Sequence, residues 1–307
     1  MSHSIVHQLS ETMGGLTLLK RSSIMVSMNK LTLKQRAQVL GALVEGNSIR
    51  ATVRMTGAAK NTVVKLLADV GSACLDYQDQ ALHNLNCERI QCDEIWSFCY
   101  AKDKNVPKEK KGQLGYGDVW TWTAICADTK LVPCWLVGRR NAGAAKDFML
   151  NLAGRLSSRV QLTTDGHKAY LEAVSGAFGL DVDYAMLVKM YGPEPVGQKR
   201  YSPAPFAGAS CRTVVGKPDK QHISTSFAER QNLTMRMSMR RFTRLTNAFS
   251  KKVENLQHAV SLHFMYYNFG RLHKTLGVTP AMAAGIADHV WTLEEIAGLA
   301  DNVPISN

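Results

Sequence analysis

Three carboxylates, Asp93, Asp165 and Glu229, lie in sequence contexts that favour a shared catalytic site. Asp93 stands in the middle of an apolar, strand-like segment, where a charge is costly unless it is paired or binds a cation. Asp165 follows a short apolar run and precedes Gly166, which predicts a strand tip, and α/β sheets bind their ligands at such tips. Glu229 falls in the first turn of a predicted helix. If one sheet and its packed helix carry these elements, the three carboxylates converge.

Convergence of these carboxylates predicts metal-dependent phosphoryl transfer. Anions packed together repel one another and stay partly protonated near neutral pH unless cations bind. Two Mg²⁺ ions about 3.5–4 Å apart can activate a water or a 3′-hydroxyl and stabilise the leaving oxygen. Because ligation by oxygen alone suits Mg²⁺ or Mn²⁺ better than zinc, the predicted cofactor is a pair of Mg²⁺ ions, with Mn²⁺ as a substitute.

Each carboxylate also has a purely structural explanation. Asp93 could pair with a lysine at a sheet edge, and Asp165 could belong to an ordinary turn. Glu229 could complement the positive end of its helix. Glu94 is the obvious rival of Asp93, but alternation along a strand directs it to the opposite face. The order strand Asp, strand-tip Asp, helix Glu favours the metal site over these alternatives.

The segments around the carboxylates predict an α/β domain with a mixed sheet flanked by helices. Strand-like alternation at 89–100, 117–128 and 130–140 predicts an antiparallel meander. The elements predicted after it are a helix at 141–156, a strand at 159–165, a helix after it, a strand at 181–191, and helices at 226–244 and 250–268. Residues 192–222 are rich in proline and glycine and predict a long loop or insertion.

Residues 29–76 predict an all-α helix-turn-helix unit. Apolar positions recur at helical spacing from Leu33 to Leu43, Ser48 can cap a short second helix, and a turn at Gly57 leads into a third. The start of this third helix carries side chains that can reach phosphates and base edges in a major groove: Lys60, Asn61, Thr62 and Lys65. A helical hairpin that only packs on the larger domain is the alternative.

The predicted helix that carries Glu229 also carries positive charge. Arg236 and Arg240 continue the stripe of Glu229, because steps of seven and four keep residues aligned on a helix. Residues 226–274 contain nine Lys or Arg against two acidic residues, whereas a solvated helical face normally mixes both signs. The charge therefore predicts contacts with the phosphates of a nucleic acid.

Composition agrees with a protein that meets a polyanion. The chain has 307 residues, 45% of them hydrophobic, which supports a sizeable core, and a formal net charge of +12. No apolar run approaches the ~20 residues of a membrane-spanning helix, and no signal-peptide pattern is present, so we expect a cytoplasmic protein. The seven cysteines form no C-x-x-C pair, which argues against a zinc ribbon and against a disulfide framework.

Three segments that contain the carboxylates, CDEIWSF, TTDGHKAY and ERQNLTMRMSMRRFTRLTNAFSK, resemble the acidic blocks of bacterial insertion-sequence transposases of the IS-one type. Those proteins are DDE transposases with the RNase H-like fold of retroviral integrases. The segment YNFGRLHKTLGVTPAMAAG is similar to the C-terminal signature of several integrase-like transposases. The resemblance covers residues 29–287 approximately, and three blocks in the same order make it specific.

The resemblance implies that the three carboxylates bind the metals and that Arg230, Asn232 and Arg236 contact the substrate. It implies double-stranded DNA as the partner: terminal inverted repeats are bound and cut, and the freed 3′-hydroxyls attack target DNA. Because two ends must meet, we expect a homodimer or a larger assembly. Family members often carry a cysteine-based zinc finger before the helix-turn-helix. Here no cysteine precedes Cys74, so recognition of the ends would depend on residues 31–71 alone.

The expected organisation is an RNase H-like mixed sheet flanked by helices, preceded by an all-α helix-turn-helix domain. The expected boundaries are a flexible tail at 1–28, the helix-turn-helix domain at 29–76, a polar linker at 77–89, the catalytic domain at 88–287 with its insertion at 192–222, and a C-terminal tail at 288–307. An RNase H-like nuclease or resolvase that does not join strands, or a helix-turn-helix regulator without catalysis, remains an alternative.

Overall fold

A single mixed sheet forms the centre of the molecule. The computed structural model describes residues 30–193, 204–243 and 246–301, so the predicted tail at 1–28 lies outside the described residues. The strands are β1 (Arg89–Cys99), β2 (Gly117–Cys126), β3 (Trp135–Gly138), β4 (Val160–Thr164), β5 (Val182–Tyr191) and β6 (Phe206–Val215). Their spatial order is β3-β2-β1-β4-β5-β6. Strands β1, β4 and β5 are parallel, and β2, β3 and β6 each run antiparallel to the neighbour they follow along the chain.

Helices cover both faces of this sheet. They are α1 (Leu33–Val44), α2 (Ile49–Thr56), α3 (Lys60–Ala81), α4 (Ala142–Ala153), α5 (Ala169–Phe178), α6 (Ser226–Ser238), α7 (Val253–Met265), α8 (Pro280–Ala283) and α9 (Leu293–Gly298). Single 3-10 turns occur at Asp103–Asn105, Lys108–Lys110, Lys220–His222, Arg240–Phe242 and Leu299–Asp301, and a π-helical turn at Tyr266–Gly270 extends α7. The predicted mixed α/β architecture with a helical N-terminal segment is confirmed.

Alternation along β1 divides the core into two layers. Ile90 and Cys92 point to the face that packs against α3, α4 and α5, where Phe148 and Tyr170 are fully buried. Ile95 and Cys99 point to the other face and pack beneath α6 and α7. Because both faces of β1 are buried, the strand is central, and any polar side chain on it is held in a defined direction.

The N-terminal helices begin and end where the local chemistry predicts. The Ser48 hydroxyl accepts a hydrogen bond from the Ala51 amide at the start of α2, and Gly57 ends this helix with a φ of +70°. Helix α3 continues to Ala81, through residues that the sequence assigned to a linker. Its Gly71 lies so close to α7 that a Cβ there would come within 2.6 Å of His258. The three N-terminal helices therefore share one core with the sheet.

Two other segments differ from their predictions. Strand β6 lies inside the insertion predicted at 192–222, where it pairs with β5. Most of its side chains are exposed, so it has no apolar periodicity from which a strand could be predicted. The segment 288–301, expected to belong to a C-terminal tail, contains α9, whose Ile296 is buried, and Arg36 of α1 forms an ion pair with Asp301 at 2.6 Å.

The remaining expectations concern cysteines and membranes. All seven cysteines are free, and all are buried except Cys211 on β6. Most of them therefore act as small apolar residues of the core, as predicted. Within 30–193, 204–243 and 246–301, no helix combines the length and the apolar character needed to cross a membrane.

Candidate active site

The register between β1 and β4 brings the first two carboxylates together. Cys92 lies opposite Thr164 in this parallel pair, so Asp93 and Asp165, each one residue further along, meet at the same edge of the sheet. The Asp165 carboxylate accepts a hydrogen bond of 2.9 Å from the amide of His167, which fixes it in the turn after β4. The prediction of a mid-strand aspartate beside a strand-tip aspartate is confirmed.

Glu94 also belongs to this cluster, although the alternation argument placed it elsewhere. Its side chain does point to the opposite face from Asp93, and it is 1% exposed. One oxygen each of Asp93, Glu94 and Asp165 nevertheless lie within 4.8 Å of one another. Asp165 stands beyond the last residue of β4 that pairs with β1, and it is near the acidic side chains on both faces of β1. The prediction that Glu94 points to the opposite face from Asp93 is therefore confirmed, but this does not separate it from the cluster.

Helix α6 is attached to β1 at two points. Near its start, the Gln91 carboxamide oxygen accepts hydrogen bonds from the amides of Phe227 at 2.8 Å and Ala228 at 3.3 Å. Further along, the Asn232 amide donates a hydrogen bond of 2.8 Å to the Asp93 carboxylate. Gln91 thus satisfies helix-end N–H groups that would otherwise be unpaired. Sequence analysis missed Gln91, because only the docked helix shows what it caps.

These two attachments place Glu229 in the wall of the cleft that contains the other carboxylates. The Thr225 hydroxyl donates a hydrogen bond of 2.6 Å to Glu229, and Lys189 of β5 forms an ion pair with the same oxygen. The cleft has a volume of about 920 Å³. Glu229 shares the cleft with Asp93 and Asp165 but is not one of the residues whose oxygens lie within 4.8 Å of one another.

Burial and mutual repulsion raise the pKa values of Asp93 and Glu94. Burial and the nearby charges of Asp165 and Glu229 raise the pKa of Asp93 to about 6. Hydrogen bonds from the Glu94 amide and from Asn232 favour the ionised form and act in the opposite direction. Burial and the charge of Asp165 raise the pKa of Glu94 to about 7, while Arg140 acts in the opposite direction. Such shifts mark a site that needs positive charge at neutral pH.

Two basic side chains that sequence analysis did not single out supply part of that charge. The Arg140 guanidinium lies 3.3 Å from Glu94 and 3.6 Å from Asp165, and it stacks over the ring of Trp120 at 4.9 Å. Lys189 is paired with Glu229. Arg140 follows the end of β3, at the same edge of the sheet as the carboxylates. The position of Arg140 just after a predicted strand could have suggested a site residue. The order of the strands, which shows that this strand end lies beside the carboxylates, could not be read from the sequence.

The predicted nucleic-acid contacts on α6 occupy different environments. Arg230 is exposed, and Arg236 lines the cleft. Asn232 also lines the cleft but is 5% exposed and holds Asp93. The predicted stripe through Arg240 is wrong: α6 ends at Ser238, and Arg240 lies in the following 3-10 turn, beside a different pocket.

At the other predicted contact region, the side chains at the start of α3 are accessible. Lys60, Asn61 and Lys65 are exposed and Thr62 is half-buried. Lys65 forms an ion pair of 2.6 Å with Asp69 one turn later, on the surface of the helix. Such an exposed ion pair contributes little stability. Lys65 could therefore leave Asp69 and bind a phosphate at little energetic cost.

The donor atoms of the cleft fit a hard divalent cation. Every candidate ligand is an oxygen, and among the described residues one oxygen of Glu94 and the side-chain oxygen of Asn232 are buried without a hydrogen-bond donor. Buried oxygens without partners are costly, and a cation would satisfy them. Asp93, Asp165 and Glu94 would hold such an ion most directly, with Glu229 across the cleft.

Comparison with known proteins gives only a distant similarity. No protein-family model and no curated protein match the chain. Among solved structures, the chain is similar to the Mos1 transposase paired-end complex with left transposon end, at 11% identity and a TM-score of 0.21 over 51% of this chain and 59% of that one. It is also similar to the Mos1 strand transfer complex, at 10% identity and a TM-score of 0.23 over 77% of this chain and 76% of the other. These scores are too low to establish a common overall fold.

Replacement of Gln91 tests the attachment of α6. We expect Gln91→Met to lower the free energy of unfolding by about 1–3 kcal/mol, because two amides of the helix lose their buried acceptor. Urea denaturation of the full chain measures this. Gln113→Met, at an exposed glutamine, is the matched control and should change stability little. A Gln91 variant as stable as the parent would show that the cap does not hold the helix.

Asp93→Asn tests the electrostatic cost of the site. With a pKa of about 6 in the folded chain against 3.8 ordinarily, Asp93 releases a proton on unfolding between these values, so stability falls as pH rises through this window. In the presence of a chelator at pH 8, Asp93→Asn should be more stable than the parent by on the order of 1–3 kcal/mol, and at pH 3 the advantage should disappear. Denaturant titrations at both pH values measure it. The same pH dependence in parent and variant would refute the assignment, and Asp147→Asn, at an exposed aspartate of α4, is the control.

Proposed function

We propose that this chain is a DNA transposase that cuts and joins strands with two Mg²⁺ ions held by Asp93, Asp165 and Glu229. The observation that carries the proposal is their arrangement: Asp93 and Asp165 are adjacent in register, and Glu229 lines the same cleft. The resemblance of the three acidic blocks to insertion-sequence transposases of the IS-one type supports the same assignment.

The sheet supports an RNase H-like fold for residues 88–287. The resemblance implies that fold, and the order β3-β2-β1-β4-β5, with β1, β4 and β5 parallel and β2 antiparallel, suits it. In this arrangement the two central parallel strands each carry one carboxylate. The third comes from a helix packed on β1, so the triad draws on the sheet and on one of its covering layers.

The side chains of the cleft would have different roles in phosphoryl transfer. When bound, the metal ions would activate the attacking hydroxyl and stabilise the leaving oxygen. Asp93 is held in one orientation by the Glu94 amide and by Asn232, which leaves its carboxylate fixed as a ligand. Arg236 lines the cleft on the side of α6 and would hold a phosphate of the entering strand. Positioning of the reactants and electrostatic stabilisation, rather than a covalent intermediate on the protein, would then account for catalysis.

Binding of the DNA ends is assigned to residues 29–76. The exposed start of α3, with Lys60, Asn61 and Thr62, would enter a major groove, and Lys65 would contact the backbone. The net charge of +12 supports a polyanionic partner. Because strand transfer joins two ends to one target, the active species would be a homodimer or a larger assembly.

The decisive experiment incubates the full chain and Mg²⁺ with labelled duplexes that cover the DNA bordering its coding sequence, together with a plasmid target. Nicks at fixed positions and joined products are expected. Asp165→Asn and Glu229→Gln should lose both by at least about 100-fold while they still bind DNA in a gel-shift assay without metal. Asp147→Asn is the control carboxylate.

The other outcomes separate the competing functions. Nicks without joined products would indicate a nuclease or resolvase, and DNA binding without any metal-dependent product would indicate a regulator. An Asp165→Asn variant that cuts at the parental rate would overturn the metal-binding triad.

Arg236→Ala tests the path of the DNA through the cleft. We expect weaker binding to all duplexes and a fall of about 1 in the slope of log K against log salt, because one phosphate contact is lost. Arg240→Ala is the matched control, since Arg240 lies outside the cleft four residues later. Fluorescence anisotropy over a salt series measures both. Equal slopes for Arg236→Ala and the parent would exclude a phosphate at this position.

A further inference from the structure

Glu94 is a buried carboxylate to which the proposed triad gives no role. Its side chain is 1% exposed, and one of its oxygens forms an ion pair with Arg140 at 3.3 Å. The other oxygen is buried and has no hydrogen-bond donor among the described residues. The hydroxyl of Tyr170 is also buried without a partner in the described part of the chain, and it is close enough to the Glu94 carboxylate to favour its ionised form. A carboxylate oxygen in this state is costly unless something else occupies it.

The position of that carboxylate matches the requirement of a metal ligand. Oxygen ligands lie about 2.0–2.6 Å from Mg²⁺ or Ca²⁺, so two ligands of one ion are about 5 Å apart or less. Asp93, Glu94 and Asp165 already meet this limit, with one oxygen each within 4.8 Å of the others. Glu229 does not belong to this group, and it is engaged by Lys189.

We propose that Glu94 is a metal ligand, which with Asp93 and Asp165 forms a three-carboxylate site for one divalent cation of the Mg²⁺ class. Glu229 then completes the binding of the second ion. This assignment rests on the proposed function for what the cation does, but the site itself can be measured without DNA. The unpartnered oxygen of Glu94 is the observation that distinguishes a ligand from a structural acid.

Arg140 has the complementary role of an internal counterion. Its guanidinium lies 3.3 Å from Glu94 and 3.6 Å from Asp165, over the ring of Trp120. Because the guanidinium and a metal ion repel each other beside the same two carboxylates, the charge of Arg140 opposes binding of the cation. The Arg140 side chain is 36% exposed and lines the cleft, so its charge can turn toward solvent or toward a phosphate of the substrate.

The two roles predict opposite effects on metal affinity. Titration of the full chain with Mn²⁺, followed by electron paramagnetic resonance, measures the affinity without DNA. Glu94→Gln should weaken binding of the first Mn²⁺ by about tenfold or more, because a ligand charge is lost. Arg140→Ala should tighten it by about threefold or more, because the competing cation is gone. Glu94→Asp should restore part of the affinity lost in Glu94→Gln.

Three further variants and a stability measurement make the result decisive. Glu229→Gln should weaken the first Mn²⁺ less than Glu94→Gln does, and Glu172→Gln, at an exposed glutamate of α5, should have no effect. Asp93→Asn should abolish the first site. Circular dichroism and urea unfolding check that each variant is folded. If Glu94→Gln is misfolded, Glu94→Asp still decides, because it keeps the charge but shortens the side chain, and parental Mn²⁺ affinity in that variant would overturn the ligand role.

The outcomes separate this inference from the proposed function. If Glu94→Gln binds Mn²⁺ like the parent while Asp93→Asn does not, Glu94 is no ligand, and the triad of the proposed function is untouched. If Arg140→Ala binds Mn²⁺ no more tightly than the parent, the counterion role is overturned. If the parent chain itself binds no Mn²⁺ and cuts no DNA, both the metal site and the proposed function fail.

Discussion

The attachment of α6 to β1 is the constraint on which the geometry of the cleft depends. Gln91 and Asn232 make the two side-chain contacts, and Gln91 lies two residues before Asp93 on the same face of the strand. Since residues two apart on a strand point the same way, the helix that Gln91 caps must lie over Asp93. The strand that supplies the first carboxylate therefore also positions the helix that supplies Glu229.

The concentration of negative charge determines which other residues the cleft must contain. Burial and neighbouring acids raise the pKa of Asp93 to about 6 and that of Glu94 to about 7, so ionisation at neutral pH destabilises the metal-free fold. Arg140 reduces that cost by pairing with Glu94, and Lys189 pairs with Glu229 in the same cleft. Functional sites commonly lower the stability of the unliganded protein and are stabilised when their ligand binds. Selection tolerates this cost as long as the protein stays stable enough to function.

Local sequence signals predicted the positions of the two aspartates but not those of their neighbours. Asp93 and Asp165 could be placed because strand alternation and a strand tip are properties of a few consecutive residues. Glu94 could not, because its approach to Asp165 depends on the parallel pairing of β1 with β4 across a long separation in sequence. Arg140 was missed for the same reason. Strand β6 was assigned to a loop because most of its residues are exposed on both faces, which removes the period of two on which strand prediction rests.

The position of Glu229 depends on more elements than that of either aspartate. Asp93 and Asp165 require only the register of one strand pair. Glu229 requires α6 to dock on β1 and also faces Lys189 on β5, in the part of that strand that pairs with β6. A shift in the β5–β6 pair would therefore move the partner of Glu229 while the two aspartates stay in place. The positions of Asp93 and Asp165 are therefore fixed by the sheet, whereas the position of Glu229 depends on how α6 and the β5–β6 pair meet across the cleft.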